Sequence, residues 1–147
     1  MSDEPPMASK PKRNEDGRIL CDYCEMPAQL MEDSSPLYHG VNYGPAWVCP
    51  LGCGWVGCHK GTCKPLGRIA NKELRRAKMD AHAAFDRLWQ AKWRKERCSK
   101  KHARGAGYQW LAVQLGIDQA VCHIGMMNVA MCRRVVEVCR PYHGGRA

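Results

Sequence analysis

The feature that most constrains this chain is a pair of cysteine turns, Cys21-Asp22-Tyr23-Cys24 and, 24 residues later, Cys49-Pro50-Leu51-Gly52-Cys53. Two cysteines flanking a tight turn present both sulfurs to one side. Two such knuckles on neighbouring hairpins complete the tetrahedral four-thiolate shell that suits zinc. The spacing predicts a zinc ribbon with Cys21, Cys24, Cys49 and Cys53 as ligands to one structural Zn2+ per chain. The second knuckle is one residue longer than usual, and Pro50, Gly52 and Gly54 supply its turn chemistry. The first carries Glu25 where a glycine often follows the second cysteine. The alternative, four buried thiols in a small β unit, lacks the apolar residues to hold such short strands together. Structural zinc contributes about 10 to 16 kcal/mol of apparent binding free energy in small fingers.

The chain has ten cysteines in 147 residues. No stretch approaches the roughly 20 apolar residues of a membrane span, and residues 1–12 hold neither an apolar run nor a cleavage-like site. The expectation is a cytoplasmic protein without a membrane partner. Thiols in a reducing compartment are not kept as disulfides, so clustered cysteines read as ligands, and Cys122, Cys132 and Cys139 at helical spacing read as small core groups. Cys58, His59 and Cys63, with His82, leave a second metal site open. Against it, a strand from Trp55 to Cys58 puts Cys58 on the face of Val56, which is a packing position. A nucleophilic Cys58 activated by His59 is disfavoured too, because neighbours on a strand point to opposite faces.

Charge divides along the chain. Residues 1–63 are net −3, residues 64–105 carry 14 Lys and Arg against 4 Asp and Glu, and residues 106–147 are net +2. Residues 1–18 mix both signs with three prolines and almost no large apolar group, which predicts a disordered tail. Residues 19–67 read as the ribbon, 68–104 as a basic helical segment, and 105–147 as a C-terminal helical subdomain. Leu74, Ala77, Ala81, Phe85 and Leu88 recur at helical spacing after Asn71. Asp86 suggests a cap on a second helix through Trp93 to Arg97, and Ser99 to Gly107 reads as a break. Tyr108–Leu115, ending at Gly116, and a helix from Asn128 to about Arg140 follow. The predicted class is α+β: a small four-Cys ribbon of short antiparallel strands packed on about four helices.

Beyond the knuckles, the strings Trp55-Val56-Gly57-Cys58-His59-Lys60-Gly61-Thr62, Pro65-Leu66-Gly67, Ala81-His82-Ala83-Ala84-Phe85-Asp86-Arg87-Leu88-Trp89, Tyr108-Gln109-Trp110-Leu111-Ala112 and Cys122-His123-Ile124-Gly125 resemble a family of small zinc-finger-containing proteins of tailed phages and prophages. The likeness covers about residues 20–140 and departs from the family's pattern at Cys63 and Arg87, away from the ligands. It implies a zinc-binding accessory protein of a phage or mobile element acting in the bacterial host cytoplasm. It names no reaction.

The basic segment suggests what such a protein touches. Arg68, Lys72, Arg75, Arg76, Lys78, Lys92, Arg94, Lys95 and Arg97, with Lys100, Lys101 and Arg104 beyond, suit phosphate contact. Four-Cys ribbons are recurrent nucleic-acid modules, an argument by analogy. The leading expectation is therefore a nonenzymatic protein that binds nucleic acid non-specifically, with no small-molecule substrate. The rival expectation is an interaction module docking on an acidic surface of host transcription, replication or defence machinery. Trp89 and Trp93, four apart beside Phe85, read as core before they read as stacking platforms. A metal-dependent nuclease built on His59, His82 or His123 is a third possibility, with only Asp80 and Asp86 on the His82 helix as hard-metal ligands.

Overall fold

A computed structural model describes residues 7–142, as two compact units. The first takes residues 9–73. In the second, Met7 and Ala8 join residues 74–142.

The first unit is built on an antiparallel sheet of three short strands, β1 (Gln29–Met31), β2 (Ala46–Val48) and β3 (Trp55–Gly57), in that spatial order. Leu30 pairs with Trp47, and Trp47 with Val56. The alternation along β3 buries Val56 between the half-buried Trp55 and Gly57. Cys58 continues from β3 and bridges to Pro65, so the strand expected over Trp55 to Cys58 is present and one residue shorter. Between β1 and β2 the chain turns on its own polar side chains. Asn42 Oδ1 accepts from the backbone of Ser34 and Gly44, and Ser34 Oγ accepts from Tyr43. Ile19, Cys21, Ala28, Cys49, Val56 and Ile69 form the core of this unit, with Cys24, Trp47 and Cys53 against it.

Part of the segment expected to be a tail falls within the described residues. Arg13 bridges to Ile19, and Leu20 N donates to Lys12 O at 2.8 Å. Residues 1–6 lie outside the described residues.

The second unit is helical: α1 (Lys72–Glu96), which belongs to it from Leu74 on, α2 (Lys100–Leu115) and α3 (Val129–Cys139). The expectation of about four helices is corrected to three α-helices among the described residues. Asp86 does not cap a new helix, because its carboxylate accepts from Trp89 Nε1 at 2.8 Å and α1 continues through it. Nor do residues 99–107 break the pattern. Ser99 Oγ accepts from His102 N at 3.0 Å as the N-cap of α2, which therefore starts eight residues before Tyr108. Lys100 and Arg104 have packing roles there, lying 4.7 Å from the ring centroid of Trp93 and 4.8 Å from that of Trp89. Trp89 itself is buried. Gly107 lets α2 approach α1, since a Cβ at that position would lie 3.0 Å from Phe85 Cζ.

The end of α2 follows expectation. Gly116 adopts φ 68°, Gly116 N bonds to Val113 O, and Ile117 N bonds to Ala112 O, a Schellman stop. Asn128 Oδ1 accepts from Met131 N at 2.9 Å and caps α3. Phe85, Leu111, Ile124, Met127 and Val135 are fully buried, as are Cys122, Cys132 and Cys139, the three thiols expected to be core groups. Burial pushes Cys122 and Cys139 up to about 11. No helix among the described residues is long and apolar enough to cross a membrane.

Candidate metal centre

The two knuckles are held by backbone hydrogen bonds. In the first, Leu20 bridges to Pro27, Cys21 N donates to Met26 O, and Glu25 N returns to Cys21 O at 2.8 Å. Glu25 adopts φ 63°, so it occupies the left-handed position that a glycine usually fills. In the second, Gly52 takes the same role with φ 81° and donates to Cys49 O, while Cys49 N donates to Gly54 O at 3.0 Å. Gly54 follows Cys53 with no room for a side chain: a Cβ there would lie 2.2 Å from Ala70 O. The bridge between Trp55 and Ala70 brings that carbonyl in.

This backbone converges the four sulfurs. The Sγ atoms of Cys21, Cys24, Cys49 and Cys53 all lie within 4.8 Å of one another, and Cys24 Sγ to Cys49 Sγ is 3.5 Å. A tetrahedral zinc with Zn–S bonds near 2.3 Å needs sulfurs about 3.8 Å apart, so the spacing fits the ion. The knuckles also turn N–H groups onto the sulfurs: Tyr23 N donates to Cys21 Sγ and Leu51 N to Cys49 Sγ, each at 3.4 Å. Such bonds favour the thiolate form that a metal requires.

The thiols respond unequally. Burial raises Cys49, but the N–H groups of Cys53 and Leu51 and the thiols of Cys24 and Cys21 outweigh it and bring it down to about 7. Burial, then hydrogen bonding among the neighbouring thiols, pushes Cys53 up to about 12, and burial also raises Cys21. Four thiols this close share protons when no cation is present. A divalent ion replaces those protons, and the donor set therefore holds structural zinc through Cys21, Cys24, Cys49 and Cys53.

Four thiolates around one divalent ion leave a doubly negative cluster, and Asp22 stands inside the first knuckle. Arg68 answers that charge: its Nε donates to Asp22 Oδ2, and it is 3% exposed. The expectation that Arg68 contacts a phosphate is corrected accordingly, because its guanidinium is buried on the knuckle. Tyr23 ties the same knuckle to the chain ahead of α1, its hydroxyl accepting from Asn71 N at 3.0 Å. Sequence reasoning missed the role of both side chains. Their partners stand 46 and 48 residues away.

The possible second metal site is not assembled. Among the described residues, the four-Cys set is the one group of three or more Cys, His, Asp or Glu close enough to share an ion. His59 and Cys63 are exposed on the turn after β3, where His59 N bonds to Lys64 O. Among the described residues, His82 and His123 likewise have no carboxylate pair converging with them on an ion site.

The other basic candidates lie along α1 and just after it. Lys72, Arg76, Arg94, Lys95 and Arg97 are exposed, and Arg75, Lys78 and Lys92 are half-buried. Lys92 Nζ pairs with Glu96 at 2.9 Å. Arg87, set aside in the sequence as a departure from a family pattern, is exposed too. At 100° per residue Arg76, Arg87 and Arg94 fall within about 20° of one another, forming one strip about 27 Å long. The signal was present in the spacing of 11 and 7 residues, and it is visible only once α1 is continuous across Asp86.

No curated protein and no solved structure matches the chain. A family model does match, over residues 17–142, a span that takes in both knuckles, the sheet and all three helices, so the chain belongs to the DUF3268 family of zinc-finger-containing domains.

Proposed function

We propose that this zinc-stabilised protein binds nucleic acid through the basic face of α1, with little sequence preference, as an accessory factor of a phage or mobile element in a bacterial host cytoplasm. The observation that carries this reading is the strip of Arg76, Arg87 and Arg94, exposed within a segment that holds 14 basic and 4 acidic residues. That positive excess, with the exposed Asp80 as the one acid on the same face between Arg76 and Arg87, is more than solubility needs and suits a row of phosphates. Zinc stabilises the fold on this reading and takes no part in chemistry. The origin rests on the resemblance of the knuckles and the helical strings to phage and prophage proteins.

Fluorescence anisotropy with single- and double-stranded probes tests it. Each neutralised phosphate lowers log K by about 0.9 per decade of salt on duplex, so three contacts give a slope of about −2.7. The triple variant Arg76→Glu, Arg87→Glu, Arg94→Glu should abolish binding and keep its zinc. A flat salt response, or no shift of either probe at micromolar protein, overturns the reading.

One observation favours the rival, docking on an acidic host protein. Met79, one turn from Arg76, is 68% exposed, and an apolar group amid positive charge suits a protein surface better than a phosphate row. A stoichiometric complex that survives nuclease and moderate salt supports this alternative, whereas displacement of the partner by nucleic acid supports the first.

A further inference from the structure

Between α1 and α2 lies an aromatic cavity of about 340 Å3, lined by Phe85 and Trp89 of α1, Gly107 and Trp110 of α2, and Tyr142, with Lys92 also on its wall. The volume is at the lower end of the roughly 300 to 1,000 Å3 range of small-molecule sites, too small for a helix and suited to one planar group. Trp110 and Tyr142 meet edge to face with centroids 5.4 Å apart, and Tyr142 is 59% exposed, so a ring entering from solvent meets aromatic surface first. Trp110 is half-buried, and its indole N–H is the kind of donor that a carbonyl or ring nitrogen accepts from. The charge at this cavity is positive. Lys92 on its wall is ion-paired with Glu96, and the exposed Lys95 three residues along α1 leaves a net positive charge there.

Accessible aromatic surface at Trp110 and Tyr142, an indole N–H and adjoining ammonium groups are complementary to a planar base carrying a phosphate. We propose that this cavity takes one unstacked base of a single-stranded nucleic acid, with the adjoining phosphate at Lys92 and Lys95. This rests on the reading that the protein binds nucleic acid, and it specifies the form: single strands with accessible bases are preferred over duplex. Base stacking on aromatic side chains tolerates any sequence, in keeping with weak sequence preference.

The test compares a labelled 12-nucleotide oligothymidylate with an abasic strand of the same length and charge, using the full zinc-loaded chain. Oligothymidylate should bind about tenfold tighter or more. Trp110→Leu and, separately, Tyr142→Ala should each remove that preference and leave abasic binding unchanged. Tyr142 is largely exposed, so its variant keeps the test open if Trp110→Leu fails to fold, which zinc content and far-UV circular dichroism report. Equal, salt-dependent binding of both strands overturns the cavity proposal and leaves the basic-face reading standing. A preference that survives both substitutions also overturns it. Free thymidine monophosphate competing as strongly as the strand would make the ligand a free nucleotide and overturn the strand assignment. Binding of neither strand removes both readings.

Discussion

The first unit has three strands of three residues each, whereas α1 in the second runs for 25 residues. The core of the first includes Ile19, Val56 and Ile69, with two of its other members being the ligands Cys21 and Cys49. The second buries Phe85, Leu111, Ile124, Met127 and Val135 with no ligand among them. In one unit cohesion comes from bonds to an ion at a single point, and in the other from apolar area spread over three helices. The difference teaches that cysteine has two meanings in one chain. Cys49 is drawn towards ionisation by N–H donors, and Cys139 is pushed away from it by burial.

Removing the ion should break the comparison most sharply. Chelation, or Cys49→Ala, should cost the ribbon essentially all of the roughly 10 to 16 kcal/mol that zinc supplies in small fingers. Near-ultraviolet signals from Trp47 and Trp55 should collapse while most helical circular dichroism remains. Parallel loss of both signals would mean that the helical unit depends on the ion too. Next in size, Arg68→Ala strips the buried partner from Asp22 and should destabilise the zinc unit by about 3 to 5 kcal/mol, read as a lower denaturation midpoint and faster zinc release. An unchanged release rate would show that the pair does not brace the knuckle. Gly54→Ala drives a Cβ into the carbonyl of Ala70 and should cost about 3 kcal/mol.

Alkali probes the other side of the comparison. Cys122 and Cys139 stand at about 11 in the fold against an ordinary value near 9, so the unfolded chain ionises first. Their contribution is complete below pH 9 and is lost between about pH 9 and 11, where urea midpoints of the helical unit should fall. The smallest effect contrasts two glycines of α2. Gly105 faces open space, and Gly105→Ala should stabilise by about 0.5 to 1 kcal/mol. At Gly107 the same change meets the fully buried Phe85, and thermal melting should show no gain.

Local signals were legible in the sequence. The ligand spacing, the strand at Trp55, the stop at Gly116 and the helix start at Asn128 each depend on residues within one turn of the chain, and the fold bears them out. What escaped depended on partners brought in from elsewhere. Asp86 has the chemistry of a cap, and its carboxylate is instead engaged by Trp89 Nε1. Lys100 and Arg104 look like loop charges until the Trp93 and Trp89 rings are beneath them. Arg68 counts as positive surface in any tally of charge, although Asp22 takes it out of solvent. Glu25 weakens the glycine pattern on paper, yet the backbone adopts the left-handed turn with a side chain present.

One small pairing bears on how the chain is made. Ala8 bridges to Met127, and Asn128 N donates to Met7 O at 2.7 Å, so the helical unit incorporates a piece from ahead of the zinc unit. On the ribosome, residues 9–73 are all present before that piece has anything to pair with. At about 5 to 20 residues per second the wait from residue 73 to residue 128 is about 3 to 11 seconds. All four metal ligands are thus available before that seam can close, and the chain just ahead of α3 closes it against residues that precede the whole zinc unit.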